Sequence, residues 1–219
     1  LLQVIAHDMR SPLTSIMLMS EFMMSTDKEI DKEKLIKYSN TIFNSSKKIL
    51  QLINQLMNSS RVDTSKVEIT KFDLIKSISH STDLVSRLLD KKMIKLEKDF
   101  FKPEVIISLD ESKLDQILNN ILYNAIKFTD KNGIIKIRVD EANRNELDFI
   151  HISIQDNGIR IPANILPEIF NKKFSNHRSG TDGEEGTGLG LSITKNLVSS
   201  LNGQIEIESE ENRGTTVHL

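Results

Sequence analysis

Ala6-His7-Asp8-Met9-Arg10-Ser11-Pro12-Leu13 sits inside an apolar-periodic segment that runs from Leu1 to about Met24. On a helix, residues three and four apart are neighbours, so His7, Arg10 and Ser11 share a face that Asp8 flanks. A carboxylate beside an imidazole accepts the proton of one ring nitrogen. That fixes the tautomer and leaves the other nitrogen's lone pair free to attack. Pro12 lacks a backbone donor and crowds the carbonyl of Asp8, which predicts a bend about one turn after His7. A histidine at a bend with an acid beside it is a candidate acceptor of a transferred group. An ordinary surface histidine is the plainer reading of the same residues.

The helical period continues outward. Leu2, Ile5, Met9, Leu13, Ile16, Met17 and Met24 form the apolar set of the first helix. Ser25 to Lys32 is a polar turn, in which Thr26 with Glu29, or Asp31, can cap the next helix. That second helix is expected from about Lys32 to Arg61, because Leu35, Ile42, Ile49 and Leu56 recur every seven residues. Ile36, Phe43, Leu50 and Met57 widen that stripe. Two antiparallel helices cannot bury so broad a face between themselves. A second copy, completing a four-helix bundle, would cover it; so would the C-terminal part of the same chain.

The chain's 219 residues allow one or two domains, and its 38% apolar content suffices for a core. No run approaches the ~18 apolar residues of a membrane-spanning helix, and no secretory pattern opens the chain. The absence of Cys excludes disulfides and thiolate chemistry, and is compatible with a reducing interior. A net charge of −2, with lysines interleaved among acids, argues against a nucleic-acid surface. The chain begins in mid-helix shortly before His7, which suggests a segment of a longer protein.

Val62 to Ser65 reads as a linker, dividing the chain into domains 1–63 and 64–219. Beyond it, Val67, Ile69 and Lys71 alternate as a short strand. Asp73 should cap a helix with Leu74, Ile78, Val85, Leu88 and Leu89 on its inner side. Strands are expected at 94–100, 105–109, 133–140, 147–155, 204–208 and 215–219, and helices at 111–129 and 188–201. Strands grouped with three helices predict an α+β two-layer sandwich with the helices on one face.

Three stretches of this second domain can carry chemistry. In Asn120-Ile-Leu-Tyr-Asn124-Ala-Ile-Lys127, the two asparagines lie one helical turn apart and Lys127 continues the face. Asn oxygens are hard ligands suited to Mg²⁺, and a lysine neutralises phosphate. Asp156-Asn157-Gly158-Ile159-Arg160-Ile161 follows a strand directly: a carboxylate at a strand end accepts from an exocyclic amine, and Gly158 lets backbone approach a flat ring. An ordinary Asp-Asn-Gly turn is the alternative. Gly186-Thr187-Gly188-Leu189-Gly190-Leu191 opens a helix whose free N–H groups attract phosphate. No Lys-Ser/Thr follows it and no strand directly precedes it, which separates it from the P-loop and the dinucleotide fingerprint. The intervening 157–187 is too long for a passive connection and reads as a lid.

His-Asp-x-Arg-Ser-Pro-Leu around His7 resembles the phosphoacceptor box of sensor histidine kinases, and the three later stretches resemble that family's nucleotide motifs in the family's order. The resemblance implies a dimeric helical hairpin over 1–63, forming a four-helix bundle, and a Bergerat-type ATP-binding sandwich over 64–219. It implies autophosphorylation of His7 from ATP, with Asp8 orienting the imidazole and Ser11 positioning a water for dephosphorylation of the partner. It assigns Mg²⁺ to Asn124 and the nucleotide to Asn120, Asn124, Lys127, Asp156, Gly158, Ile161, Gly186, Thr187, Gly188, Leu189, Gly190 and Thr215. Phe170 and Phe174 resemble an aromatic box in the lid, with core packing the alternative. The implied partners are a second copy of the chain and the receiver domain of a response regulator. The implied location is the cytoplasm, for a fragment of a protein that an upstream anchor could tether to a membrane.

One departure stands out: Arg160 occupies a position where the family has Gly. Were its φ positive, strain on the order of 1–3 kcal/mol would be expected; otherwise the side chain would swing to solvent or over the base. Arg160 is the only support for a second reading, a dimeric signalling scaffold or phosphatase with impaired ATP binding. A third is another ATPase of the gyrase and chaperone fold, against which the box around His7 counts.

Overall fold

The computed structural model describes residues 2–25, 31–61, 67–144, 147–171, 179–184, 188, 190–210 and 213–219; the side chains of 2–8, 25, 47, 48, 50–61, 143, 144, 147 and 148 lie outside that description. The chain divides into two compact units, Leu1–Asp63 and Thr64–Leu219.

The first unit is a pair of helices, α1 (Leu2–Ser25) and α2 (Lys32–Arg61). The helix α1 runs on through Pro12 instead of stopping there, and Pro12 is buried. Phe22 stacks on Tyr38 with ring centroids 6.2 Å apart, which joins the end of α1 to the start of α2. The hairpin leaves Leu13, Met17, Phe22, Ile36 and Phe43 exposed, the last at 68%. That is the unburied apolar face that the heptad pattern foretells.

The second unit begins with β1 (Thr70–Asp73), α3 (Leu74–Lys92), β2 (Lys95–Phe100), β3 (Ile106–Leu109) and α4 (Glu111–Phe128). It continues with β4 (Ile134–Arg144), β5 (Leu147–Asp156), a 3-10 turn at Leu166–Glu168, α5 (Gly190–Ser200), β6 (Glu206–Glu210) and β7 (Gly214–His218). Strands β1 and β3 form an antiparallel pair; the main sheet has the order β2-β4-β5-β7-β6. Only the β2–β4 pairing in it is parallel. Strict alternation in β4 turns Ile135, Ile137 and Val139 inward with no exposure, and Ile152, Ile154 and Val217 extend the same face. Against it lie Leu74, Ile78 and Val85 of α3, Ile117, Leu118, Ile121 and Leu122 of α4, and Leu197 and Val198 of α5. Each such burial contributes roughly 1.5–3 kcal/mol. The α+β sandwich expected from the sequence is therefore the fold.

Two capping carboxylates set the helix starts. Asp73 Oδ1 accepts from the amides of Ile75 at 3.1 Å and Val105 at 3.2 Å. Asp110 accepts from Lys113 at 3.0 Å and from Glu68 at 3.2 Å. Burial pushes both carboxyls up, but the amide hydrogen bonds and a nearby lysine outweigh it and hold them below their ordinary value.

The same contacts correct two boundaries, and burial corrects one inward-facing position. Residues 67–69 are not strand, because the Glu68 amide is spent on Asp110; β1 starts at Thr70. Val105 precedes β3, its amide bonding Asp73 and its carbonyl accepting from Leu74. Leu88, expected on the inner face of α3, is 37% exposed, since Val85 and Leu89 take the core positions of that turn.

Candidate functional site

Asp156 ends β5, with Ile135 of β4 on one side and Thr215 of β7 on the other as register partners. It is 6% exposed. Its Oδ1 accepts from the amides of Gly158 at 2.9 Å and Thr215 at 3.3 Å. Burial pushes the carboxyl up to about 6, against those two amides, which favour the ionised form. A buried carboxylate held by two amide donors on one oxygen is suited to accept from a further neutral donor such as an amine N–H.

The turn after Asp156 is locked from two sides. The Ile159 amide donates to the Phe128 carbonyl at 2.9 Å, which fastens the turn to the carboxyl end of α4. A Cβ on Gly158 would collide with that same carbonyl. Gly158 is thus demanded by the backbone of α4, where the sequence suggested approach to a flat ring. On the other side, the Ile161 amide donates to Ser209 Oγ at 2.8 Å. The Ser209 hydroxyl also meets the Gly214 carbonyl at 3.1 Å and Thr215 Oγ1 at 3.0 Å. Gly214 has φ 79° and a Cβ there would strike the Asp156 carbonyl, so glycine is required twice over. Ser209 is not singled out by the sequence: a serine in an acidic strand carries no local signal.

Arg160 is exposed, and its φ is not positive: among the described residues the non-glycine residues with positive φ are Met93, Asn132 and Asn202. The strain anticipated for Arg160 is therefore absent, and its exposed side chain follows the second of the two expectations, toward solvent or over the base.

On α4, Asn120, Asn124 and Lys127 share a half-buried face. The Asn120 amide donates to Thr194 Oγ1 of α5, and a Cβ on Gly190 would come within 2.6 Å of Asn120 Oδ1. Asn120 therefore sets the approach of α5 to α4. Lys127 holds its ammonium over the Phe128 ring, 4.8 Å from the centroid. Gly188 has φ 68°, and α5 begins at Gly190. Gly186, Thr187 and Leu189 lie outside the described residues, as do Phe174 and the side chains of His7 and Asp8. His7, Asp8 and Ser11 all fall within α1, and Ser11 is exposed. Phe170 is half-buried beneath Lys195 Nζ at 5.1 Å.

The geometry brings the Asp156 turn, backed by Thr215, to the carboxyl end of α4, while the start of α5 meets the same helix at Asn120. Two family models match the chain: "His Kinase A (phospho-acceptor) domain" over residues 1–65, and "Histidine kinase-, DNA gyrase B-, and HSP90-like ATPase" over residues 109–219. The chain belongs to the sensor histidine kinases. This kinase core is 32% identical to hybrid signal transduction histidine kinase B of Dictyostelium discoideum, over 98% of its own length and 11% of that protein. It is 31% identical to sensor histidine kinase RcsC of Salmonella typhimurium, over 100% of its length and 22% of the relative. The chain thus spans a quarter or less of these relatives. Among solved structures, histidine kinase ThkA in complex with the response regulator protein TrrA matches with a TM-score of 0.72 and 26% identity, covering 97% of this chain and 58% of ThkA. The isolated ThkA catalytic domain matches at 0.59 and 28%, covering 69% of this chain and 93% of that one. Among the described residues, no helix is long and apolar enough to cross a membrane.

Proposed function

We propose that this kinase core transfers the γ-phosphoryl group of ATP to an imidazole nitrogen of His7 and then passes it to an aspartate of a response-regulator receiver domain. The observation that carries the reading is the Asp156 pocket: a buried carboxylate at a strand end, fixed by the Gly158 and Thr215 amides and backed by Ser209. Asp156 would accept the adenine amine. Ile161, two residues past the point where the turn docks on Phe128, would border the base.

In the transfer, the His7 nitrogen lone pair forms the new N–P bond while the bond from the γ-phosphorus to its bridging oxygen breaks, and ADP leaves with that electron pair. Asp8 holds the tautomer that presents a free lone pair. Such a reaction needs positioning and charge neutralisation more than covalent help. Lys127 and the glycine-rich stretch Gly186 to Gly190, which leads into α5, would supply charge and N–H groups to the phosphates. Asn124, half-buried on α4, would offer its oxygen to a metal ion carried in by the nucleotide. Mg²⁺ bound there would neutralise phosphate charge.

The exposed apolar face of α1 and α2 supports a homodimer through residues 1–63. Ser11 would orient a water for removing the phosphoryl group from the partner. The core would act in the cytoplasm, as part of a protein whose other segments could reach a membrane. Incubation with γ-labelled ATP tests the reading: label on His7 is lost in acid and survives alkali. Label that survives acid would overturn it.

A further inference from the structure

Lys92 ends α3, and its side chain is only 3% exposed. An unpartnered ammonium in such a place would be strongly disfavoured, so its partners define its role. The Nζ atom donates to the carbonyls of Ile126 at 3.0 Å, Lys127 at 3.2 Å and Thr129 at 3.4 Å. These are orphan acceptors at the carboxyl end of α4, where a cation also complements the helix dipole. The same atom donates to Thr181 Oγ1 at 2.8 Å and pairs with Glu184 at 2.8 Å. Its neighbour Lys91 reaches Asp182 at 3.8 Å.

The backbone repeats the connection. The Thr181 amide donates to the Lys127 carbonyl at 3.0 Å, and its hydroxyl to the Thr129 carbonyl at 2.8 Å. Burial pushes the Glu184 carboxyl up, but the Lys92 ammonium and two amides prevail and keep it below its ordinary value. One side chain thus joins three pieces of chain far apart in sequence: the end of α3, the end of α4 and residues 181–184.

We propose that Lys92 is a positioning residue for the phosphate side of the nucleotide site, clamping 181–184 onto the end of α4 and so fixing the backbone from which Lys127 extends. The proposal rests on the reading above, in which Lys127 faces phosphate. Lys92 itself touches no ligand.

The test uses the full chain. Lys92→Met keeps the side-chain length and removes the charge. Glu184→Gln, at the partly exposed partner, probes the same contact while keeping the side chain's shape and an oxygen acceptor for Lys92. Without nucleotide, the Thr181 amide should exchange its hydrogen roughly tenfold faster in both variants. ATP affinity should fall about tenfold while adenosine affinity, which reads the Asp156 side, stays within about twofold. The double variant should bind ATP no more weakly than Lys92→Met alone, as expected for one shared contact. Unchanged exchange at Thr181, equal losses for ATP and adenosine, or fully additive losses would each overturn the clamp. A parent chain that binds neither ligand would instead overturn the functional reading, and the clamp's role with it.

Discussion

The backbone amide of Thr215 donates to Oδ1 of Asp156 at 3.3 Å, across the β5–β7 ladder in which the two residues are register partners. The strand pairing that builds the core therefore also fixes the carboxylate proposed to read the nucleotide. The charge it fixes is one that the folded protein disfavours.

That conflict has a pH signature. Because burial raises the Asp156 pKa from 3.8 to about 6, the folded state holds this proton over a range where the unfolded chain has released it. Stability from this group is complete below about pH 4 and declines as pH rises to about 6, by as much as about 3 kcal/mol. Asp73 and Asp110 act in the opposite sense and lower down: their contribution is lost only as pH falls through their depressed values. Denaturant midpoints at pH 4 to 7 should fall for the parent and stay flat for Asp156→Asn. The same variant should lose ATP affinity, by at least about tenfold, since an amide is a weaker acceptor and offers a competing donor. Unchanged affinity by isothermal titration would move adenine recognition elsewhere.

His7→Gln should abolish acid-labile labelling and leave ATP binding intact, because the acceptor and the nucleotide site lie in different units. Asp8→Asn should slow labelling by roughly 10²–10⁴-fold if the carboxylate orients the imidazole. Persistent label on the His7 variant would remove the assignment.

Residues 1–63 should dimerise and 64–219 should be monomeric. The exposed Met17, Phe22, Ile36 and Phe43 give the hairpin a reason to associate, while the second unit buries its own core. Light scattering on the two fragments at micromolar concentration decides it; a monomeric 1–63 would contradict the bundle.

Arg160→Gly should change ATP affinity by less than about threefold. With φ outside the positive region there is no strain of the kind glycine relieves. A gain of tenfold or more in a titration would show that the arginine hinders the site after all.

Local signals were legible in the sequence and long-range ones were not. Asp73 and Asp110 announced their helices, since a cap and the helix amide it serves lie within three residues. The alternation of Ile135, Ile137 and Val139 announced a half-covered sheet. The Asp156 turn stood out by composition, yet the reason for Gly158 did not, because the carbonyl it avoids belongs to Phe128. Lys92 looked like any lysine near a turn; its partners Thr181 and Glu184 lie far along the chain. Ser209 reaches Ile161 across a similar gap, and nothing in its neighbourhood marks it.

The edge strand β6 has two audiences. Glu206, Glu208 and Glu210 face water, a row of negative charge that discourages a stray strand from adding to the open side of the sheet. Ile207 and Ser209 face inward, one packing opposite Val217 and the other holding the Ile161 amide. Side chains alternate with a period of two, so a slip of one residue would exchange these roles completely. A glutamate would then stand where the serine hydroxyl meets Thr215, and the repulsive rim would become apolar. The alignment of five residues at the border of the sheet thus guards at once against self-association and against loss of the hydroxyl that holds the Asp156 turn.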